Sequence, residues 1–278
     1  MRSLSNQRVW SHLSIVSNEK STNREIRESE PLRVNTFREL VPVVARIANH
    51  NPDYTLFFRG QPKDYLLSSG LSSIYPSIFR SPGKSLRIDE LSRRFQKLDA
   101  CSQMLLSKLD KANIEGIEKL KKFPELLWSI LQHYEVCDTP LIDLTHSLRV
   151  AASFALEKCD SEGYLFAFAL PHPQGTITYS TEDELLNVRL LSASPYSALR
   201  PHFQEGYLVG SFPIRTERKQ ASLDLGVRLV AKLAIPKARF WGADFDAIPH
   251  QALYPKNDEI KAICEMVQTE FGAHDQAG

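Results

Sequence analysis

Residues 163–170, Gly-Tyr-Leu-Phe-Ala-Phe-Ala-Leu, are apolar almost without interruption. A strand on a half-wet sheet alternates apolar and polar side chains, so an unbroken run reads as a central strand covered on both faces. The rest of the chain must therefore supply a layer on each side of it. With 278 residues, 42% apolar and 24% charged, it has enough material for one large domain.

The layers are legible on either side of this strand. Thr36 opens a predicted helix, with Glu39 completing a capping box and Phe37, Leu40, Val44 and Ile47 on one face. Asn51-Pro52-Asp53 stops it, and the aromatic run 54–58 reads as a buried strand that ends at Arg59-Gly60. Residues 61–87 are rich in Ser, Pro and Gly and read as a long loop. A helix from Ile88 carries Leu91, Phe95, Leu98, Leu105 and Leu109 at helical spacing, and Pro124 opens another that runs to His133-Tyr134. Residues 140–145 form a predicted strand leading into a helix capped by Ser147. Thr181 with Glu184 predicts a further helix through 191, residues 207–212 and 227–235 predict two strands, and Asn257 caps a closing helix with Ile260, Ile263, Val267 and Phe271 inside. The composite is a mixed α/β or α+β fold, with helices gathered before most of the strands. Residues 1–34 lack periodicity and read as a loosely ordered extension, followed by a single domain over 35–272 and a tail over 273–278.

Composition excludes several classes. Lys+Arg 34 against Asp+Glu 33 leaves +1, so no global field draws in nucleic acid or an anionic membrane. The basic stretches 87–97, 108–122 and 215–219 are either local phosphate contacts or solvated faces; interspersed acids in the first two favour the latter. No apolar run approaches the roughly 18 residues of a spanning helix, and the amino terminus lacks the apolar core of a secretion signal, which predicts a cytoplasmic location. Cys101, Cys137, Cys159 and Cys264 are scattered and read as structural thiols, with no metal expected. Phosphate-loop, dinucleotide-fold, zinc-protease and nucleophile-elbow motifs are all missing.

What remains are polar residues at the edges of apolar elements. Arg59 sits at a strand end with Gly60 beside it, where a guanidinium forks onto a phosphate and a glycine lets a ligand come close. Residues 133–145 crowd His133, Tyr134, Asp143 and Thr145 around a strand-to-helix turn. Gln204-Glu205 precedes a strand, where an acid is either solvated or placed to stabilise a developing positive charge.

In order and spacing these residues resemble the FRG domain family. Phe58-Arg59-Gly60 followed by Gln61 answers its first motif; His133-Tyr134, Thr139, 141–145 (Leu-Ile-Asp-Leu-Thr) and 151–155 (Ala-Ala-Ser-Phe-Ala) answer the second; Gln204-Glu205-Gly206-Tyr207 and Tyr254-Pro255 with Asp258 answer the last two. The resemblance covers about residues 36–272. It departs at Glu135, where glycine is usual, at one inserted residue near Cys137-Asp138, at Pro140 in an arginine position and at Leu144 in a tryptophan position.

FRG domains in turn look like ADP-ribosyltransferases. That likeness implies a split β-sheet core with helices around it, NAD as co-substrate, and a nucleic-acid or protein acceptor, in a bacterial toxin or antiphage effector. It implies Arg59 on the NAD pyrophosphate, aided by Gly60, and Thr145 positioning the nicotinamide ribose and supporting Arg59. Gln204 or Glu205 would then bind the ribose hydroxyl, while His133, Tyr134 and Asp143 would lie around the cofactor. An inhibitory, antitoxin-like partner would protect the host, docking on 1–34 or 61–87. A non-catalytic ligand-binding module and an NAD glycohydrolase are the alternative readings.

Overall fold

The structure, a computed structural model, describes residues 4, 7–81, 86–212 and 223–275. In chain order its elements are β1 (Arg8–Val9), α1 (Ser14–Ser17), β2 (Ser21–Thr22), α2 (Asn23–Glu28), β3 (Leu32–Arg33), α3 (Phe37–Asn49), β4 (Thr55–Gln61) and α4 (Ile88–Lys111). They continue with α5 (Ile117–Lys122), α6 (Pro124–His133), β5 (Ile142–Thr145), α7 (Leu148–Glu157), β6 (Glu162–Leu170), β7 (Ile177–Ser180), β8 (Leu185–Arg189) and α8 (Leu190–Ala193). The last are α9 (Arg200–Gln204), β9 (Gly206–Ser211), β10 (Leu229–Pro236), α10 (His250–Leu253) and α11 (Glu259–Asp275). The class is mixed α+β.

Among the described residues eight strands form one sheet in the order β3-β10-β6-β4-β5-β9-β8-β7. Its pairings are antiparallel except for β10 with β3. The central β6 is buried from Leu165 to Leu170, as its unbroken apolar run requires. The sheet has a waist. β4 pairs with β6 along its whole length, from Thr55 opposite Leu170 to Gln61 opposite Tyr164, but meets β5 only at Phe58 opposite Thr145. There are two core clusters: one gathers β4, β6 and β10 with α3 and α7 and reaches Leu144 of β5 and Val209 of β9, the other gathers α4, α6 and α11 against Leu186, Val188 and Leu208.

Helix α7 lies against β4 and β6 at very short range. A Cβ on Gly60 would stand 1.9 Å from the Ala151 carbonyl oxygen, and one on Gly163 2.3 Å from that of Ala155. Gly60 is thus required by the helix that crosses it. This corrects the reading of that glycine as primarily a ligand-approach position.

Other sequence expectations are revised. The strand predicted to stop at Arg59-Gly60 continues through Gln61, which places Arg59 inside the sheet. The predicted helix over 181–191 is instead a turn into β8. Asp183 N–H donates to Ser180 Oγ (3.2 Å), Glu184 takes a left-handed φ of 53°, and Leu185 to Val188 are buried strand residues. Asp258 rather than Asn257 caps α11, its Oδ1 accepting the Lys261 N–H (3.1 Å).

Residues 7–34 are not loosely held. Ile26 and Val34 are buried, β3 supplies a sheet edge, and Arg27 pairs with Asp224 at 2.5 Å with both side chains almost fully buried. Asp224 also accepts the Ile74 N–H (2.7 Å) and the Gly226 N–H (2.9 Å). Removing one partner of a buried pair strands the other charge, a loss of about 3–5 kcal/mol. Asp224→Ala is therefore expected to lower unfolding free energy by about 3 kcal/mol or more in a urea titration.

Candidate functional site

The site forms at the waist, where β4 and β5 diverge after their single pairing. Its first member is Arg59. The guanidinium is half-buried: Nη1 donates to the Asp143 main-chain carbonyl (2.8 Å), and Nε is buried with no acceptor. Burial pushes the Arg59 guanidinium below its ordinary value and Asp143 pulls it back up, yet an arginine stays charged.

Asp143 is the hub. Its Oδ1 faces His133 Nδ1 (3.0 Å), and its Oδ2 accepts Gln132 Nε2 (2.8 Å). Gln132 Oε1 in turn accepts the Thr139 hydroxyl, and the Thr139 N–H donates to Ser77 Oγ (3.0 Å). Burial alone would raise the Asp143 carboxyl, but the bonds from His133 and Gln132 and the charge of Arg59 outweigh it and hold it at about 2. Burial pushes His133 below its ordinary value. An ionised Asp143 only accepts, so the His133 proton lies on Nδ1 and Nε2 is left as an acceptor; that Nε2 is buried and partnerless.

The rest of the cavity comes from chain far downstream. Arg200 at the start of α9 is buried, with Nη2 on Glu135 Oε1 (2.9 Å), Nε partnerless, and the guanidinium 4.6 Å above the Tyr254 ring. Asp258 Oδ2 fixes this arrangement by accepting from the Arg200 N–H (2.9 Å), the Leu199 N–H (3.1 Å) and the Tyr134 hydroxyl (2.8 Å). Gln204 at the end of α9 is buried, with Nε2 donating to the Leu253 carbonyl (2.9 Å). The resulting cavity has a volume of about 200 Å³ and is lined by Arg59, Gly60, His133, Asp143, Thr145, Arg200 and Gln204, with Phe58, Phe154 and Tyr254 as its aromatic wall. Arg59, Gly60 and Pro62 also border a second cavity of about 500 Å³, lined by Tyr65, Tyr75 and Arg80. Arg59 stands where the two meet.

Arg59, Gly60, His133, Asp143, Thr145 and Gln204 thus converge, as the sequence placed them. Two residues do not. Tyr134 is buried with its hydroxyl on Asp258 and does not line the cavity, so it holds α11 rather than a ligand. Glu205 takes a left-handed φ of 47° after α9, is exposed and lies outside the lining, so Gln204 is the member of that pair in the cavity. Thr145 lines it too, but its hydroxyl accepts the Ser147 N–H (3.0 Å), and the support for Arg59 comes from the Asp143 carbonyl.

Sequence reasoning missed Arg200 and Tyr254 as site residues. Glu135 sits at a left-handed φ of 59°, which explains why glycine suits that position. The basic run 215–219 lies outside the described residues. Among the described residues, no helix is long and apolar enough to cross a membrane, and no group of three or more His, Cys, Asp or Glu side chains is placed to hold a metal. None of the four cysteines is in a disulfide among the described residues.

An arginine-centred cleft at the waist of an α+β sheet has side chains of the kind that bind an anion. The FRG domain model matches residues 54–163, from β4 through α7, which supports the FRG family for this chain. Arg59, His133, Asp143 and Thr145 fall inside that span, whereas Arg200, Gln204 and Tyr254 fall after it. No curated protein and no solved structure matches the chain.

Two histidines, His12 buried and His146 half-buried, give the fold an acid limit. His12 and His146 are both held at about 4, chiefly by burial. Their ordinary value is 6.5, so on acidification the unfolded chain takes up protons first, and stability falls as pH drops from 6.5 toward 4. Asp143 extends the loss below its ordinary 3.8 toward about 2. A melting temperature that declines between pH 6.5 and 4, with a shallower decline in His12→Gln, is the expected result.

Proposed function

We propose that this protein is an NAD-dependent ADP-ribosyltransferase acting on a macromolecule, with a toxin or antiphage effector role inside the cell. The observation that carries this reading is Arg59 at the junction of two cavities, with one guanidinium nitrogen tied back to β5 and N–H groups left to donate. A dinucleotide has that division: two nucleoside halves joined by a diphosphate. The diphosphate lies against Arg59, the nicotinamide ribose enters the cavity beside Thr145 and Gln204, and the adenosine half takes the wider cavity beside Tyr65 and Tyr75.

Cleavage breaks the bond between ribose C1 and nicotinamide nitrogen, with the electron pair leaving on nicotinamide. The acceptor's lone pair then forms the new bond to C1 and its proton is released. The ribose passes through cationic character, so catalysis rests on holding the phosphates and on acceptors facing the sugar. With Nε2 committed to Leu253, Gln204 keeps its amide oxygen for a ribose hydroxyl, and the bare Nε2 of His133 is a second acceptor. No metal enters the scheme. An inhibitory partner belongs to this reading, and with residues 7–34 packed into the domain its contact falls to the exposed Tyr65 and Leu66.

Incubation with NAD labelled in the adenylate half, alongside cellular RNA and protein, tests the proposal. Label is expected on one acceptor class and absent with Arg59→Ala; no label on either class, with nicotinamide still released, would point to a glycohydrolase. One observation favours a non-catalytic binding module as the second reading: the carboxylates lining the inner cavity are all engaged, Asp143 by His133 and Gln132, Glu135 by Arg200 and Glu157 by His250. In that case NAD binds and no nicotinamide appears.

A further inference from the structure

We infer that Arg200 is a second anion-binding residue of the inner cavity and that Glu135 is its resident counter-ion, displaced when a phosphorylated nucleotide enters. This rests on the proposed function only in taking the ligand to be a nucleotide diphosphate.

Arg200 is built in from several sides. Its main-chain N–H is fixed by Asp258, its guanidinium lies 4.6 Å above the Tyr254 ring and 5.8 Å from the Tyr134 ring, and its side chain is only 10% exposed. A cation held so deeply would ordinarily be matched by several acceptors. Among the described residues Arg200 has one, Glu135 Oε1, while Nε is buried with none. Arg59 and His133 in the same cavity also keep a buried nitrogen without a partner. Three such nitrogens belong to residues that line one small cavity, and two of them are on fixed cations.

Glu135 has the opposite character. Its side chain is 74% exposed, and its backbone holds a left-handed φ. An ion pair with one partner in water contributes little, so an incoming phosphate exchanges a weak contact for one or two charge-assisted bonds to a preformed guanidinium. The carboxylate neutralises Arg200 in the empty cavity and competes with the ligand for it.

Calorimetric titration of the full chain with ADP-ribose, and separately with inorganic pyrophosphate, tests this on wild type, Arg200→Gln, Arg200→Lys, Glu135→Gln and Arg59→Gln. Arg200→Gln is expected to bind ADP-ribose about tenfold more weakly, Arg200→Lys to fall between it and wild type, and Glu135→Gln to bind about threefold more tightly. Pyrophosphate should follow the same order. A folded Arg200→Gln that binds as wild type does, or a Glu135→Gln with unchanged or weaker binding, overturns the inference. Should Arg200→Gln fail to fold, the surface variant Glu135→Gln decides alone. Loss of binding in Arg59→Gln with none in Arg200→Gln sinks this inference and leaves the proposed function standing. Wild type that binds neither probe sinks both.

Discussion

Gly60→Ala is expected to leave no folded protein at ordinary temperature. The added methyl would sit 1.9 Å from the Ala151 carbonyl oxygen and 2.6 Å from the Ala155 nitrogen, both backbone atoms of a buried helix. No rotamer change relieves this contact, so α7 must move off β4. Overpacking that flexible side chains absorb costs about 1–3 kcal/mol, and a helix displaced from a closed core costs more. Against a typical total of about 5–15 kcal/mol, that loss is enough to unfold a marginal domain. Circular dichroism and a urea titration check it: a cooperative transition close to that of wild type would mean that α7 does not pack on β4 as described.

The largest functional effect is expected at Arg59. Arg59→Ala removes the guanidinium between the two cavities, and with it the two or more charge-assisted bonds proposed for a diphosphate, each contributing about 1.5–3 kcal/mol. Affinity for NAD should fall about a hundredfold or more. Stability should change little by comparison, because among the described residues the one hydrogen bond lost is Nη1 to the Asp143 carbonyl. Titration with NAD beside a melting curve separates the two. A folded Arg59→Ala that keeps wild-type affinity would remove the anchor of the proposed site.

Much of this was legible in the chain because it is written locally. The Thr36 cap, with its hydroxyl on the Glu39 N–H at 3.2 Å, the Ser147 cap on Val150, Pro124 at a helix start and the apolar run of β6 each depend on neighbours a few residues away. The misreadings have the reverse cause. Thr181 with Glu184 matches a helix-cap spacing, but Ser180 and Asp183 close a turn there, and Asp183 is held by Arg228 at 2.8 Å, 45 residues on. Residues 7–34 look featureless because their ties are distant: Asn23 to the Gly226 carbonyl at 2.9 Å, and Arg27 to Asp224.

The site divides along the same line. Arg59, His133, Asp143 and Thr145 stand in motifs whose spacing carries them. Tyr254 stands in the closing motif without a site role assigned from it, and Arg200 enters through the fold, which brings α9 and the turn after α10 over the waist. Nothing in Ala-Leu-Arg-Pro-His at 198–202 marks its arginine as buried under a tyrosine ring.

The central claim is that the Arg59 cavity binds NAD and breaks its glycosidic bond. Nicotinamide released from NAD by purified wild type, measured against Arg59→Ala with the same melting temperature, tests it most directly. Release by wild type that falls at least a hundredfold in the variant is the predicted result. Equal release by both proteins, or none from wild type even with RNA and protein acceptors supplied, would contradict it.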